Sequence, residues 1–165
     1  MSTAGDLSIT QEDDMPILRT EDAEAIRFRF DDELDADVQL TLVTHNPIGG
    51  LLIPGRECDT CQSTQQAVDE ITALTSKISV ETVDFYREPE RAEELDVERI
   101  PALIVHGPSG DGVRFFGFPS GYEFPLLLDA IVRASTNESD LEASTVESLS
   151  EIDEDVHIKV FVTPT

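Results

Sequence analysis

The two cysteines of the chain stand three positions apart, in Cys58-Asp59-Thr60-Cys61, between an extended apolar run and a helical pattern. Val38 to Val43 supplies the run. A loop rich in proline and glycine, Asn46-Pro47-Ile48-Gly49-Gly50 through Pro54-Gly55, leads from it to the thiols. Two thiols in the first turn of a helix that follows a strand are the usual layout of a dithiol–disulfide site. The same spacing is half of a zinc site, and it also occurs as a plain structural bridge. The remainder of the chain has to choose among these.

The charge narrows the choice. Thirty-five Asp and Glu stand against eleven Lys and Arg, a net charge of −24, with Lys77 and Lys159 the only lysines. Such a surface repels phosphate backbones, so neither nucleic acid nor an anionic membrane is an expected partner. The acid is spread over residues 31–37, 88–94, 138–142 and 147–155 rather than held in one tail. It fits either an ordinary acidic protein or one adapted to high salt, where dense carboxylates and few lysines keep the surface hydrated. The halophilic reading predicts a melting temperature that rises from dilute buffer to molar KCl as self-repulsion is screened. An unchanged melting temperature counts against it. Residues 1–16 have neither the basic nor the apolar region of a secretory signal, and no stretch of eighteen apolar residues occurs. The expected location is therefore cytoplasmic, where a lone Cys-x-x-Cys serves redox chemistry or metal more often than stapling.

Periodicity orders the chain. After a leader (residues 1–19), Thr20 reads as an N-cap for a helix carrying Ala23, Ile26, Phe30 and Leu34. Val38, Leu40 and Leu42 alternate with Gln39, Thr41 and Val43 as a strand. Leu51-Leu52-Ile53 reads as a short strand or a cover over the thiols. From Cys58 onward Cys61, Val68, Ile71 and Leu74 form a helical stripe. A strand with Ile78, Val80, Val83 and Phe85 follows, then a short helix opened by Pro89. Arg99 to Val105 reads as a strand with a proline near its start. Pro108 to Gly112 is a turn into a strand from Val113 to Phe118. Ser120 and Glu123 have capping-box spacing ahead of Phe124, Leu127, Leu128 and Ile131. The order is α-β-α-β-α-β-β-α, with a Ser- and Glu-rich helix from about Leu141 to Ile152 behind it. One ungapped repeat links Asp37-Val38-Gln39-Leu40-Thr41-Leu42-Val43 to Asp155-Val156-His157-Ile158-Lys159-Val160-Phe161, which reads as the first strand of a second copy.

This order is that of a thioredoxin or glutaredoxin unit. Val83-Asp84-Phe85, Arg99-Ile100-Pro101-Ala102, Arg114 through Phe124 and Val160 through Thr165 resemble the N-terminal half of the glutaredoxin-like protein disulfide oxidoreductases, over roughly residues 20–165. These proteins hold two fused thioredoxin-fold units, each with its own Cys-x-x-Cys. The resemblance implies an α/β fold, a three-layer α/β/α sandwich around a mixed central sheet, over residues 20–135. A linker helix (136–154) and the opening strand of a second, incomplete unit (155–165) would follow. The sequence ends at Thr165, where the second Cys-x-x-Cys is expected next, so activity belonging to that second pair is not carried over.

Within the site, Cys58 is expected to attack, being the more N-terminal and exposed thiol, with a thiolate favoured by unpaired N–H groups and the helix dipole. Cys61, on the apolar stripe, would resolve the mixed disulfide. Glu57 and Asp59 disfavour a second negative charge at Cys58 and Arg56 offsets part of that, which predicts a slower or more reducing pair. The resemblance implies a cis peptide between Ile100 and Pro101 beside the cysteines, with backbone groups of Ile100 pairing with an extended substrate. It implies no cofactor, because the dithiol itself carries the electrons. The expected partners are protein thiols or disulfides and an upstream dithiol reductant or reductase. A zinc site needs two further ligands, and His45, His106 and His157 lie at no recognisable spacing. A homodimer sharing four cysteines stays open as an alternative. So does a non-catalytic docking unit, and so does an electron-transfer unit serving a peroxidase partner.

Overall fold

The computed structural model describes residues 15–47, 53–107, 112–138 and 141–161. Among these residues nine elements follow in order: α1 (Thr20–Glu33), β1 (Val38–Thr44), α2 (Cys61–Thr72), β2 (Ile78–Asp84), α3 (Pro89–Glu94), β3 (Ala102–Val105), β4 (Val113–Phe116), α4 (Glu123–Thr136) and α5 (Ala143–Ser150). The four strands form one mixed sheet in the order β2-β1-β3-β4. β1 runs parallel to β2, with Val38 opposite Ile78 and Thr44 opposite Asp84. β3 lies antiparallel to β1, with Val43 opposite Ala102, and β4 antiparallel to β3.

Both faces of the sheet are covered, giving three layers. On one face Leu40, Leu42, Leu103 and Val105 pack with Ile26 and Phe30 of α1, Val68 and Ile71 of α2, and Leu127 and Ile131 of α4. On the other, Val43, Val83, Ala102 and Ile104 pack with Ala92 of α3 and Val97. This explains the one departure within β1. Its pattern predicts a strand with one wet face, yet only Gln39 is exposed, because a central strand between two helical layers has no solvent side. Ser135 ties α4 to the end of the α1 connection, donating to the Ala36 carbonyl at 2.6 Å and accepting from the Ala36 N–H at 2.8 Å.

Several local expectations give way to the fold. Thr20 is the first residue of α1 and Arg19 holds the cap position, with no side-chain bond to the helix end. The Ser120–Glu123 capping box does not form. Tyr122 caps α4, and the Ser120 carbonyl accepts the Glu123 N–H at 3.1 Å as an ordinary turn. The third strand begins at Ala102 rather than Arg99, and the fourth ends at Phe116, with Gly117 at φ 93° turning the chain. Leu51 and Leu52 lie outside the described residues, as do Pro108–Asp111 of the expected turn; Ile53 is exposed. Residues 17 and 18, read as leader, are tied to α2: the N–H groups of Ile17 and Leu18 donate to the two Glu70 carboxylate oxygens at 2.9 and 2.8 Å.

The repeat at residues 155–161 does not form the expected opening strand. It has no secondary structure, and Val156, Ile158, Val160 and Phe161 are exposed. Alternating apolar residues make a strand only where a neighbouring strand takes up the backbone hydrogen bonds, and among the described residues none pairs here. α5, which precedes this segment, buries no residue.

Candidate active site

At the head of α2 Cys58 and Cys61 are joined in a disulfide with Cα atoms 5.4 Å apart. The helix starts one turn later than its sequence pattern predicts. Cys58 stands ahead of it, just before the Asp59–Thr60 turn, and Cys61 is its first residue. Thr60 sits at the cap position, where its carbonyl accepts from the Thr64 N–H at 2.9 Å and from the Thr64 hydroxyl at 2.7 Å. Thr64, Ala67, Val68 and Ile71 continue the buried stripe that Cys61 opens, so the helix holds Cys61 against the sheet. The two sulfur-bearing residues are therefore unequal: Cys58 is half-buried and Cys61 is 2% exposed.

A cleft of about 620 Å³ runs along α2 past the disulfide. Cys58 and Cys61 line it together with Thr44, His45, Asn46 and Pro47 at the end of β1. This is the carboxyl end of two parallel strands, where open α/β sheets commonly place their ligands. His45 is held in place there. Its Nδ1 lies 3.3 Å from Asp84 Oδ2, and its ring meets Tyr86 edge-on at 4.8 Å between centroids. The Arg56 guanidinium stacks over the same Tyr86 ring at 4.8 Å, so the cation expected to offset Glu57 and Asp59 is engaged by an aromatic face.

Asp84 is the electrostatic anchor of this corner. Burial pushes its carboxyl up, but donation from the N–H groups of Arg87, Asn46 and Tyr86 and from His45 outweighs burial and holds it below the usual carboxylate range. Glu70, on α2, is held low in the same way, burial being outweighed by the Leu18 and Ile17 N–H groups and Gln66. A carboxyl whose folded pKa is depressed stabilises the fold above its unfolded value near 4 and loses that contribution as pH falls through the folded value. Asp84→Asn is therefore expected to cost about 1.5–3 kcal/mol at pH 7, the usual worth of hydrogen bonds to a charged group. The gap from the parent should close as pH falls from about 4 toward 2. Paired thermal melts across this range check it, and a gap that stays constant would show that the Asp84 charge is not what is lost.

Ile100 and Pro101 stand at the start of β3, and the peptide between them is cis. They do not line the cleft that holds the sulfurs. The sheet brings them near it, since Ala102 is opposite Val43 and Thr44 is the next residue of β1. The Pro101 carbonyl accepts the Gly117 N–H at 2.9 Å, whereas the N–H and C=O of Ile100 have no partner among the described residues. His106, one of the three candidate zinc ligands, instead meets the Thr41 hydroxyl at 2.8 Å, and His45 is the partner of Asp84. Among the described residues no group of three or more His, Cys, Asp or Glu is arranged to hold a metal, and no helix is long and apolar enough to cross a membrane.

The same arrangement of strands and helices occurs in solved structures. A protein disulfide oxidoreductase from Aeropyrum pernix is similar over 81% of this chain and 54% of its own, with a TM-score of 0.66 and 21% identity. The alkylhydroperoxide reductase AhpF of Enterococcus faecalis is similar over 80% of this chain and 59% of its own, with a TM-score of 0.65 and 21% identity. The chain has a thioredoxin fold. No protein-family model matches it. In sequence, a protein called NADH dehydrogenase from Bacillus subtilis is 27% identical over 116 residues, 70% of this chain. The chain spans 20% of that relative's length and little more than half of each solved chain.

On this thioredoxin fold, the cleft and its corner also bring in Thr44, which sequence reasoning passed over, His45, weighed there only as a metal ligand, and Asp84, read there only as part of a strand. Each looks ordinary in the sequence, Thr44 as the end of a strand and His45 as a turn histidine. The available signal was positional: they close two adjacent parallel strands just before the thiol-bearing loop.

Proposed function

We propose that the chain is a thiol–disulfide oxidoreductase unit that exchanges disulfides with protein substrates through Cys58 and Cys61. The observation that carries this reading is the unequal disulfide at the head of α2, one partner half-buried beside a cleft and the other packed into the core. In the reducing direction the Cys58 thiolate attacks a substrate disulfide, forming a mixed disulfide and releasing one substrate thiolate. Cys61, having lost its proton, then attacks the Cys58 sulfur. The intramolecular disulfide closes, the second substrate thiolate leaves, and two electrons have passed to the substrate. A dithiol reductant or reductase reopens the pair, and no further cofactor enters. Ile100 and Pro101 serve the substrate backbone in this reading, supported by the N–H and C=O of Ile100, which have no partner among the described residues. The acidic surface disfavours nucleic acid and anionic membrane as partners and fits a cytoplasmic, salt-adapted protein.

A second reading is a non-catalytic docking unit, or an electron-transfer unit serving a peroxidase partner. It is favoured by the likeness to the alkylhydroperoxide reductase AhpF and by the relative called NADH dehydrogenase. Insulin reduction with dithiothreitol separates the two. Acceleration above dithiothreitol alone supports general protein disulfide exchange. A rate equal to dithiothreitol alone turns the assignment to the docking or electron-transfer reading.

A further inference from the structure

Among the described residues four polar side chains are buried: Thr41, Thr44, Thr64 and Ser135. Three have partners. Thr41 meets His106, Thr64 donates to the Thr60 carbonyl, and Ser135 both donates to and accepts from Ala36. The Thr44 hydroxyl alone has none, although Thr44 is 4% exposed. An orphaned buried hydroxyl is costly and calls for a cause.

Its position supplies one. Alternation along β1 puts the Thr44 side chain on the face of Leu40 and Leu42, the face against which α2 packs, and Thr44 lines the cleft with both cysteines. The pair is oxidised here, and a disulfide sulfur is a poor acceptor. We propose that Thr44 is a redox-tuning residue whose hydroxyl takes the Cys61 sulfur as its partner when the disulfide is reduced. Two electrons and two protons break the Cys58–Cys61 bond and free both sulfurs. Cys61, packed into the core, then has little water to solvate it. As a thiolate it accepts the Thr44 O–H; as a thiol it donates its S–H to Thr44 Oγ1. In either protonation state the hydroxyl is satisfied only in the dithiol form, so it biases the pair toward reduction. The inference rests on the redox reading of Cys58 and Cys61 given above and names what sets their equilibrium.

Thr44→Val keeps the shape and removes the hydroxyl. It destabilises the dithiol by a lost hydrogen bond and relieves the disulfide form of an orphan, and the two effects add. Equilibration of the purified chain with reduced and oxidised glutathione is expected to show a shift of about tenfold toward the disulfide, equivalent to about 30 mV toward a more reducing pair. Thr44→Ser, which restores the hydroxyl, should return the equilibrium to within about twofold of the parent. Thermal melts of each form supply the second readout: Thr44→Val should raise the melting temperature of the oxidised chain and lower that of the reduced chain. A merely structural threonine would move both melts alike and leave the equilibrium constant within twofold, and that result overturns the proposal. An insulin assay run beside it isolates the other failure. A parent that equilibrates with glutathione but does not accelerate insulin reduction removes the protein-exchange reading while the tuning by Thr44 is still measured.

Discussion

Cys58→Ser is expected to bring insulin reduction down to the rate of dithiothreitol alone, a complete loss of the contribution made by the chain. The reason lies in the geometry of the pair. Only a thiolate that reaches the substrate starts exchange, and Cys61, at 2% exposure under the first turn of α2, cannot take over from outside. The fold should survive the substitution, because Cys58 stands ahead of α2, outside any helix or strand, and belongs to neither apolar cluster. Far-ultraviolet circular dichroism run beside the assay separates lost chemistry from lost structure. Turnover retained by Cys58→Ser would transfer the attack to Cys61 or to no cysteine at all.

The largest effect on stability is expected at Phe30. Its side chain is fully buried between α1 and the sheet, in the cluster that contains Leu40, Leu42, Val68, Leu103 and Ile131. Phe30→Ala removes the transfer energy of the ring and leaves a cavity that the surrounding strands and helices only partly fill, costing about 3–5 kcal/mol. Against a typical total of about 5–15 kcal/mol this is a large share, and it should appear as a lower urea midpoint at an unchanged slope. Because the same cluster holds Val68 and Ile71 of α2, the loss should also loosen the helix that presents Cys61. Faster reduction of the disulfide by a small thiol would accompany the lower midpoint. A cost below about 1 kcal/mol would mean that α1 is not part of the cooperative core.

The elements read most easily from the sequence are those whose pattern and packing agree. Ile26 and Phe30 on α1, Val68 and Ile71 on α2, and Leu127 and Ile131 on α4 recur at helical spacing because each helix presents one stripe to the sheet. Pro89 opens α3 as its chemistry predicts. The readings that failed are local ones outvoted by context. Thr20 and Ser120 have the right chemistry for caps, but the chain enters each helix one or two residues away from them. Residues 155–161 have the alternation of a strand without a strand to pair with. The helical pattern was read from Cys58 onward, yet Asp59 and Thr60 form a turn and only Cys61 joins the helix.

The site divides in the same way. The disulfide between Cys58 and Cys61 was legible because a spacing of three is itself a chemical signal, and the cis peptide at Ile100-Pro101 because it stands just ahead of a strand in a recognisable order. Thr44, His45 and Asp84 were not, because they depend on which strands become neighbours. Only the parallel pairing of β1 with β2 sets Thr44 opposite Asp84 and brings His45 into reach of its carboxylate. A missing hydrogen bond, as at Thr44, leaves no trace in a sequence at all.

The central claim is that Cys58 attacks and Cys61 resolves, and trapping tests it most directly. The Cys61→Ser chain, incubated with a protein disulfide substrate and quenched with acid, should accumulate a mixed disulfide that peptide mass spectrometry places on Cys58. Cys58→Ser treated alike should trap none. An adduct on Cys61 of the Cys58→Ser chain, or no adduct on either variant, would contradict the account.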